Sequence, residues 1–443
     1  MEINEKKSVL FIAPKANGHL IKTVKIAKHY LNNGYKIHYA VQGNAFDFFH
    51  ETPSPHTYLQ SSFFGYNYKN LQKLNKIKKW YLEWKDRKFE NRFYPRKKEI
   101  ENILQLHKPS HIFIDVFCIS DFLFCYEYAS SNNCQIVGIS PFFPEVKDSV
   151  IPPLNIYDFP GKNSIKHWYN KNKKDRKKNI KQKWIFPFRS DKQLISKAMR
   201  KLNIPTKHMP IYWNKFPIFQ ELDFWYLQPK ELDFQEQLLP KKHIYKGPMI
   251  DMEIKEKQDP RLDYLLKLKN KTPNSKLIFC SLGTVVLQQV NPEIVIDFFN
   301  KVVQLGKENP TFFIVINASK LIKNKLKSQS INVMIFERVP FLKVLENADL
   351  FITHGGGNSY LEAIYSETPM LVIPPSNKWD YNGNAARIVN KKIGEKAEFY
   401  SPVFKLLESI IRILANEKMK NEIKKVKEES IDSYLNDSTK IIL

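Results

Sequence analysis

The stretch from Asp349 to Gly394 constrains this chain more than any other. Leu350 to Thr353 is a short apolar run, His354-Gly355-Gly356-Gly357 is a loop that few side chains could follow, and Ser359 opens a helix with Leu361, Ile364 and Tyr365 at helical spacing. Pro369 marks the helix end, and Met370 to Ile373 is a second apolar run stopped by Pro374-Pro375. The order is strand, glycine loop, helix, strand. In a parallel βαβ unit the loop leaving the first strand lies at the carboxyl edge of the sheet, where open α/β folds take their ligands. Three glycines let the backbone approach a guest, and the N–H groups of a helix start favour an anion, so a phosphate or pyrophosphate is expected there. A tight turn would use the same glycines, and the rest of the chain must decide between the two.

A length of 443 residues exceeds one ordinary core and implies two or three domains. With 43% hydrophobic residues and 13% aromatics the chain is globular rather than disordered. The apolar run Val9 to Ala13 is too short for a signal peptide and reads as a first strand. No stretch reaches the roughly 20 apolar residues of a spanning helix, so a cytoplasmic protein, in peripheral contact with a membrane at most, is expected. Cys118, Cys125, Cys134 and Cys280 form no C-x-x-C pair, which suggests reduced, buried thiols rather than a metal cluster or disulfides.

The net charge of +25 is concentrated: residues 66–105 carry +7 and residues 161–201 carry +13. Only ten of the 70 basic residues are arginine, the side chain best suited to reading bases and phosphates bidentately, which argues against nucleic acid as the partner. Both segments interleave lysine with aromatic residues, among them Trp80, Tyr81, Trp84 and Phe89 in the first and Trp168, Tyr169, Trp184 and Phe188 in the second. A solvated lysine-rich face would look the same, whereas peripheral contact with anionic lipid would use both features.

Ser8 to Pro14 reads as a strand, residues 15–19 as a loop, Leu20 to Asn32 as a helix ended by Gly34, and Lys36 to Val41 as a second strand. His111 to Phe117 and Ile136 to Ile139 are further strands, with Asp115 near the end of the former. Prolines at 229, 240, 248 and 260 suggest a passage between domains. A second α/β series follows, with strands at Leu277–Leu282, Phe312–Ile316 and Val333–Phe336, a helix over 292–309 and terminal helices over 403–432.

On these residues the chain resembles the family 1 nucleotide-sugar glycosyltransferases. Val339-Pro340 with Leu345, His354-Gly355-Gly356, Ser359, Glu362-Ala363, Pro369, Pro374, Asp380 and Asn384-Ala385 follow that family's C-terminal pattern in order. Gly18-His19 resembles the family's G-H with its catalytic base, Asp115 the carboxylate that orients it, and Ser281-Leu282-Gly283-Thr284 the turn beside the donor phosphates. Departures are Lys22 in place of a frequent proline, Arg338 and Phe341 near the base position, and Tyr381 where the family has a glutamine contacting the sugar.

The resemblance implies an α/β protein of the GT-B fold, two Rossmann-like domains facing across a cleft. The expected division is an acceptor-binding domain over 1–245, a nucleotide-sugar-binding domain over 246–404, and terminal helices over 405–443 that could pack back on the first domain. It implies an inverting transferase that moves a sugar from a UDP- or dTDP-sugar to a hydroxyl of a lipophilic acceptor, with His19 as general base oriented by Asp115. Donor contacts are expected from Ser281, Gly283, Thr284, Val339, His354, Gly355, Gly356, Gly357, Asn358, Ser359, Glu362, Asp380, Tyr381 and Asn384. Glu362 would accept from ribose hydroxyls, although its S-x-x-E spacing from Ser359 is also that of a capping box. Neither metal nor cofactor is expected beyond the donor itself: there is no D-x-D, and the nearest approach is Asp251-Met252-Glu253. The rival readings are a nucleotide-sugar epimerase on the same architecture and a non-enzymatic membrane or nucleic-acid binder.

Overall fold

The computed structural model describes residues 7–65, 75–88, 90–147, 150–212, 216–235, 237–250, 259–283, 286–326 and 330–435. The chain divides into two compact units, the first comprising Met1–Asp148, Trp168–Leu227 and Gln237–Met249, the second Ser149–His167, Gln228–Glu236 and Ile250–Leu443. This differs from a single cut at 245. Two short segments that precede residue 245 cluster with the second unit, and so do the terminal helices.

The chain begins β1 (Ser8–Pro14), α1 (Asn17–Asn32), β2 (Lys36–Gln42), α2 (Phe46–Glu51) and β3 (His56–Leu59). It continues with α3 (Lys76–Lys88), α4 (Phe93–His107), β4 (His111–Asp115), α5 (Phe122–Ser131) and β5 (Gln135–Ser140). After α6 (Lys162–Ile185) and α7 (Asp191–Lys201) come a small hairpin, β6 (Pro210–Ile211) with β7 (Ile218–Phe219), and the strands β8 (Asp223–Tyr226) and β9 (His243–Tyr245). Seven strands form one parallel sheet in the order β3-β2-β1-β4-β5-β8-β9. A parallel sheet covered on both faces needs strands that are apolar on both, and all seven residues of β1 are buried. Leu10 and Ile12 join one core cluster while Val9, Phe11 and Ala13 join the other. The expected passage between domains in fact contributes a strand, β9, to this sheet, directly after β8. β8 and β9 are short and begin with Asp and His, so they lack the apolar run that marks the central strands.

The second unit runs α8 (Pro260–Lys271), β10 (Lys276–Ser281), α9 (Pro292–Glu308), β11 (Phe312–Asn317), α10 (Lys320–Lys323), β12 (Val333–Phe336) and α11 (Phe341–Asn347). Then follow β13 (Leu350–Thr353), α12 (Ser359–Tyr365), β14 (Met370–Val372), α13 (Tyr381–Asn390), β15 (Gly394–Lys396), α14 (Val403–Leu414) and α15 (Glu417–Lys427). Its six-stranded parallel sheet has the order β12-β11-β10-β13-β14-β15. Helix α9 starts sharply because the Asn291 side chain accepts from the Glu293 amide and Pro292 occupies the first helical position. The terminal α14 places Leu406, Ile410 and Ile413 in the same core cluster as Val295, Phe298 and Val302 of α9.

Both sheets wind outward from a central strand for two strands and then return to its other side, so that β4 lies beside β1 and β13 beside β10. At such a switch point the connections leave in opposite directions and open a crevice at the carboxyl edge.

The added segments are fastened within the second unit by polar contacts. The Gly383 amide donates to the Leu154 carbonyl at 2.9 Å, and a Cβ on Gly383 would stand 2.4 Å from that oxygen, so this close approach requires glycine. Arg387 of α13 donates to Asp233 at 2.7 and 2.9 Å with both side chains buried, and Tyr360 Oη donates to Gln228 Oε1 at 2.5 Å.

Candidate functional site

The first unit's switch point brings together His19 and Asp115. Helix α1 begins at Asn17, earlier than expected, because Ala16 is extended and its carbonyl accepts from the His19 and Leu20 amides. His19 therefore stands in the first helical turn rather than in a loop. Asp115 is the last residue of β4. His19 Nδ1 lies 2.8 Å from Asp115 Oδ2, and the other carboxylate oxygen accepts from the Phe117 amide at 2.8 Å. A carboxylate only accepts, so Nδ1 carries the proton and Nε2 presents its lone pair. The imidazole is flanked by Phe117 at 4.2 Å and Phe142 at 5.4 Å between centroids, and Phe216 stacks on Phe117 at 4.8 Å. These three aromatic rings come from distant stretches, and no local pattern marks them.

Lys22, one turn after His19, stands where the family has a frequent proline. It is buried to 1% exposure, and its Nζ donates to the carbonyls of Pro141 and Leu227, both at 3.2 Å. It thus ties the carboxyl ends of β5 and β8 beside Phe142, a role a proline could not fill.

The second unit's switch point holds the glycine loop. Ser281 ends β10 in register with Thr353, the last residue of β13, and accepts from Asn317 Nδ2 at 3.3 Å. The His354 imidazole fills the space above two glycines: a Cβ on Gly283 would stand 2.6 Å from its Cε1, and one on Gly356 2.5 Å from its Nε2. Gly355, at φ +81°, adopts the left-handed region that favours glycine. Gly357, Asn358 and Ser359 are half-buried at the start of α12. Asn358, not Ser359, is the N-cap residue of α12, so Ser359 and Glu362 do not have the capping-box spacing and the half-buried Glu362 is not explained that way. Asp380 is the N-cap residue of α13, and Asn384 Nδ2 donates to Asp380 Oδ2 and to the Gly355 carbonyl, each at 2.8 Å. Tyr381 Oη accepts from Gln289 Nε2 at 3.0 Å, and Gln289 also bonds Ser376. Val339 is half-buried ahead of α11, whereas Phe341 packs its ring on Phe279 and Phe351 of the sheet. Thr284 and Asp251-Met252-Glu253 lie outside the described residues.

Three buried polar atoms at this edge, His354 Nδ1, Asn384 Oδ1 and Asn317 Oδ1, have no hydrogen-bond partner among the described residues. Buried polar groups are normally paired, so an edge with three open atoms fits a polar guest whose hydroxyls could donate to the two asparagine oxygens, while the helix-start amides of the glycine loop suit an anionic part of it. Asn317 and Gln289 were not foreseen. Asn317 could have been, as a polar residue closing the apolar strand FFIVIN in register with Ser281.

Burial lowers the His354 pKa from 6.5 to about 4. The unfolded chain then takes up this proton first as pH falls, so the stabilising contribution is complete above about pH 6.5 and is lost on descent toward pH 4. Wild type is expected to lose about 2–3 kcal/mol more than His354→Gln between pH 7 and 4.5, as read from urea unfolding. Parallel profiles for the two proteins would contradict the assignment.

Two Rossmann-like parallel sheets with matching switch points define the GT-B fold. The chain aligns over 96% of its length with the crystal structure of the glycotransferase of kitacinnamycin, covering 95% of that chain, at a TM-score of 0.66 and 15% identity. Residues 286–436 match the glycosyltransferase family 28 C-terminal domain. The chain is 31% identical to the uncharacterized UDP-glucosyltransferase YdhE of Bacillus subtilis (strain 168) over 34% of its own length and 37% of the relative's. It is 26% identical to the zeaxanthin glucosyltransferase of Pantoea ananas over 44% and 42%. The alignments thus span only about two-fifths of these curated relatives, each of which is named as a glycosyltransferase.

Proposed function

We propose that the protein is an inverting glycosyltransferase, moving a sugar from a UDP- or dTDP-sugar to a hydroxyl of a lipophilic small molecule or lipid. The observation that carries this reading is the buried His19–Asp115 dyad at the first switch point. An acceptor hydroxyl is a weak nucleophile, and His19 Nε2 would take its proton as the oxygen attacks the anomeric carbon, while Asp115 stabilises the imidazolium that forms. The C–O bond to the nucleotide breaks as the acceptor bond forms. Base and attacking oxygen act on the face opposite the leaving group, so one displacement inverts the anomeric centre.

The leaving nucleoside diphosphate gains charge. Amides of Gly356 to Ser359, the Ser359 hydroxyl and the open ring nitrogen of His354 are donors for it, which supports a metal-independent reaction. Glu362 would accept from the ribose, and Asp380 with Tyr381 would meet the sugar. The aromatic ring cluster of Phe117, Phe142 and Phe216 supports an apolar acceptor, as does the relative named for zeaxanthin, a hydrocarbon-rich alcohol. Such acceptors reside in membranes, and we place the protein on the cytoplasmic side in peripheral contact with anionic lipid. No helix among the described residues is long and apolar enough to cross a membrane.

Thermal unfolding against a panel of nucleotide sugars tests the donor site. UDP- or dTDP-sugars at a hundred times their Kd should stabilise the fold by about 2.7 kcal/mol. Protection by none of them would end the reading. Conversion of a donor into its epimer with no acceptor present would favour the epimerase.

A further inference from the structure

The two lysine-rich aromatic segments, distant in sequence, meet on one face of the first unit. The Trp80 indole of α3 donates to the Ile185 carbonyl at the end of α6, at 3.4 Å. Arg87 of α3 donates to the Arg189 carbonyl at 2.7 Å and to Asp191 at 2.8 Å, and its guanidinium lies over the Phe186 ring. The corner is therefore built, not incidental. Around it stand large apolar side chains that face solvent: Trp184 is 81% exposed, Phe188 83%, Ile77 79% and Tyr169 63%, with Tyr81 and Ile180 also exposed.

On α6, at about 100° per residue, Tyr169, Ile180 and Trp184 fall within roughly 60° of one another, and Lys173, Arg176 and Lys183 share the same stripe. Buried Trp168 lies about 100° away on the inward side. Helix α6 carries ten basic residues against Asp175 alone. Exposed tryptophan, phenylalanine and isoleucine set among lysines match the boundary between lipid headgroups and acyl chains, where the apolar rings insert and the ammonium groups reach the phosphates. Aliphatic Ile77 and Ile180 have nothing to offer a base edge, and lysine outnumbers arginine nine to one on α6.

We propose that the corner of α3 and the C-terminal half of α6 is a docking face for anionic phospholipid. This rests on the peripheral reading given above and is independent of the transfer chemistry. Docking there would hold the first unit at the surface in which a lipophilic acceptor dissolves.

The test is co-sedimentation of the full chain with phosphatidylglycerol–phosphatidylcholine vesicles, for wild type and the double variant Trp184→Ser, Phe188→Ser. Both side chains are exposed, so the variant should keep the wild-type unfolding temperature. Wild type should bind mixed vesicles but not pure phosphatidylcholine, and weaken as salt rises. The double variant should bind at least about tenfold more weakly. Absence of wild-type binding at low salt overturns both this assignment and the peripheral reading. Equal binding by the variant overturns the assignment and leaves peripheral contact standing. Tighter binding to a single-stranded oligonucleotide than to vesicles, lost in the double variant, assigns the face to nucleic acid instead.

Discussion

His19→Ala is expected to lower sugar turnover about a thousandfold while leaving nucleotide affinity within twofold of wild type. General bases contribute about a hundredfold to ten-thousandfold, and the buried Asp115 partner, itself fixed by the Phe117 amide, places this one toward the upper part of that range. The nucleotide contacts proposed above all lie in the second unit, so the two readouts should separate. Asp115→Asn is the companion test. An amide could present its N–H to His19, favour the other tautomer and place the proton on Nε2, so turnover should fall with little change in unfolding temperature. A fall in nucleotide affinity that matches the fall in turnover would mean that His19 acts on the fold and not on the acceptor.

Asp121→Ala should cost about 3–5 kcal/mol of folding stability. Arg96 and Asp121 are wholly buried, joined by bonds of 2.9 and 2.6 Å, and Arg96 donates further to Gln42 Oε1 at 2.6 Å. Burial alone would lower the Arg96 pKa, but the Asp121 carboxylate overrides it and holds it above its ordinary value. Removing the carboxylate therefore leaves a permanent charge in the core with only the partly exposed Glu99 carboxylate, 3.9 Å away, to balance it. The paired change Arg96→Met with Asp121→Leu should recover much of the loss, because a well-packed apolar pair replaces both charges. Urea unfolding of the single and paired variants measures this, and a single-variant loss below about 1 kcal/mol would contradict it.

Much of the donor edge was legible because its restraints are local. A glycine loop after an apolar strand, a helix with its polar residues in order and a proline stop can all be read along the chain. His19 was legible through its place shortly after the first strand, Asp115 through its place at a strand end, and both through the family pattern. What could not be read depends on contacts between distant segments. Gly383 has no mark in the sequence that Leu154 will approach it, and Arg387 gives no sign that Asp233 is its partner. Lys22 looks like a surface lysine until the carbonyls of Pro141 and Leu227 surround it. The ring cluster at His19 draws on Phe117, Phe142 and Phe216, whose convergence follows from sheet order and not from spacing.

The most direct measurement of the central claim is proton NMR of the sugar first released from a UDP-α-sugar by wild type and by His19→Ala. Inverting chemistry at the dyad predicts that the β-anomer appears first with wild type and that release is about a thousandfold slower with the variant. Release of the α-anomer, or equal rates for the two proteins, would contradict it.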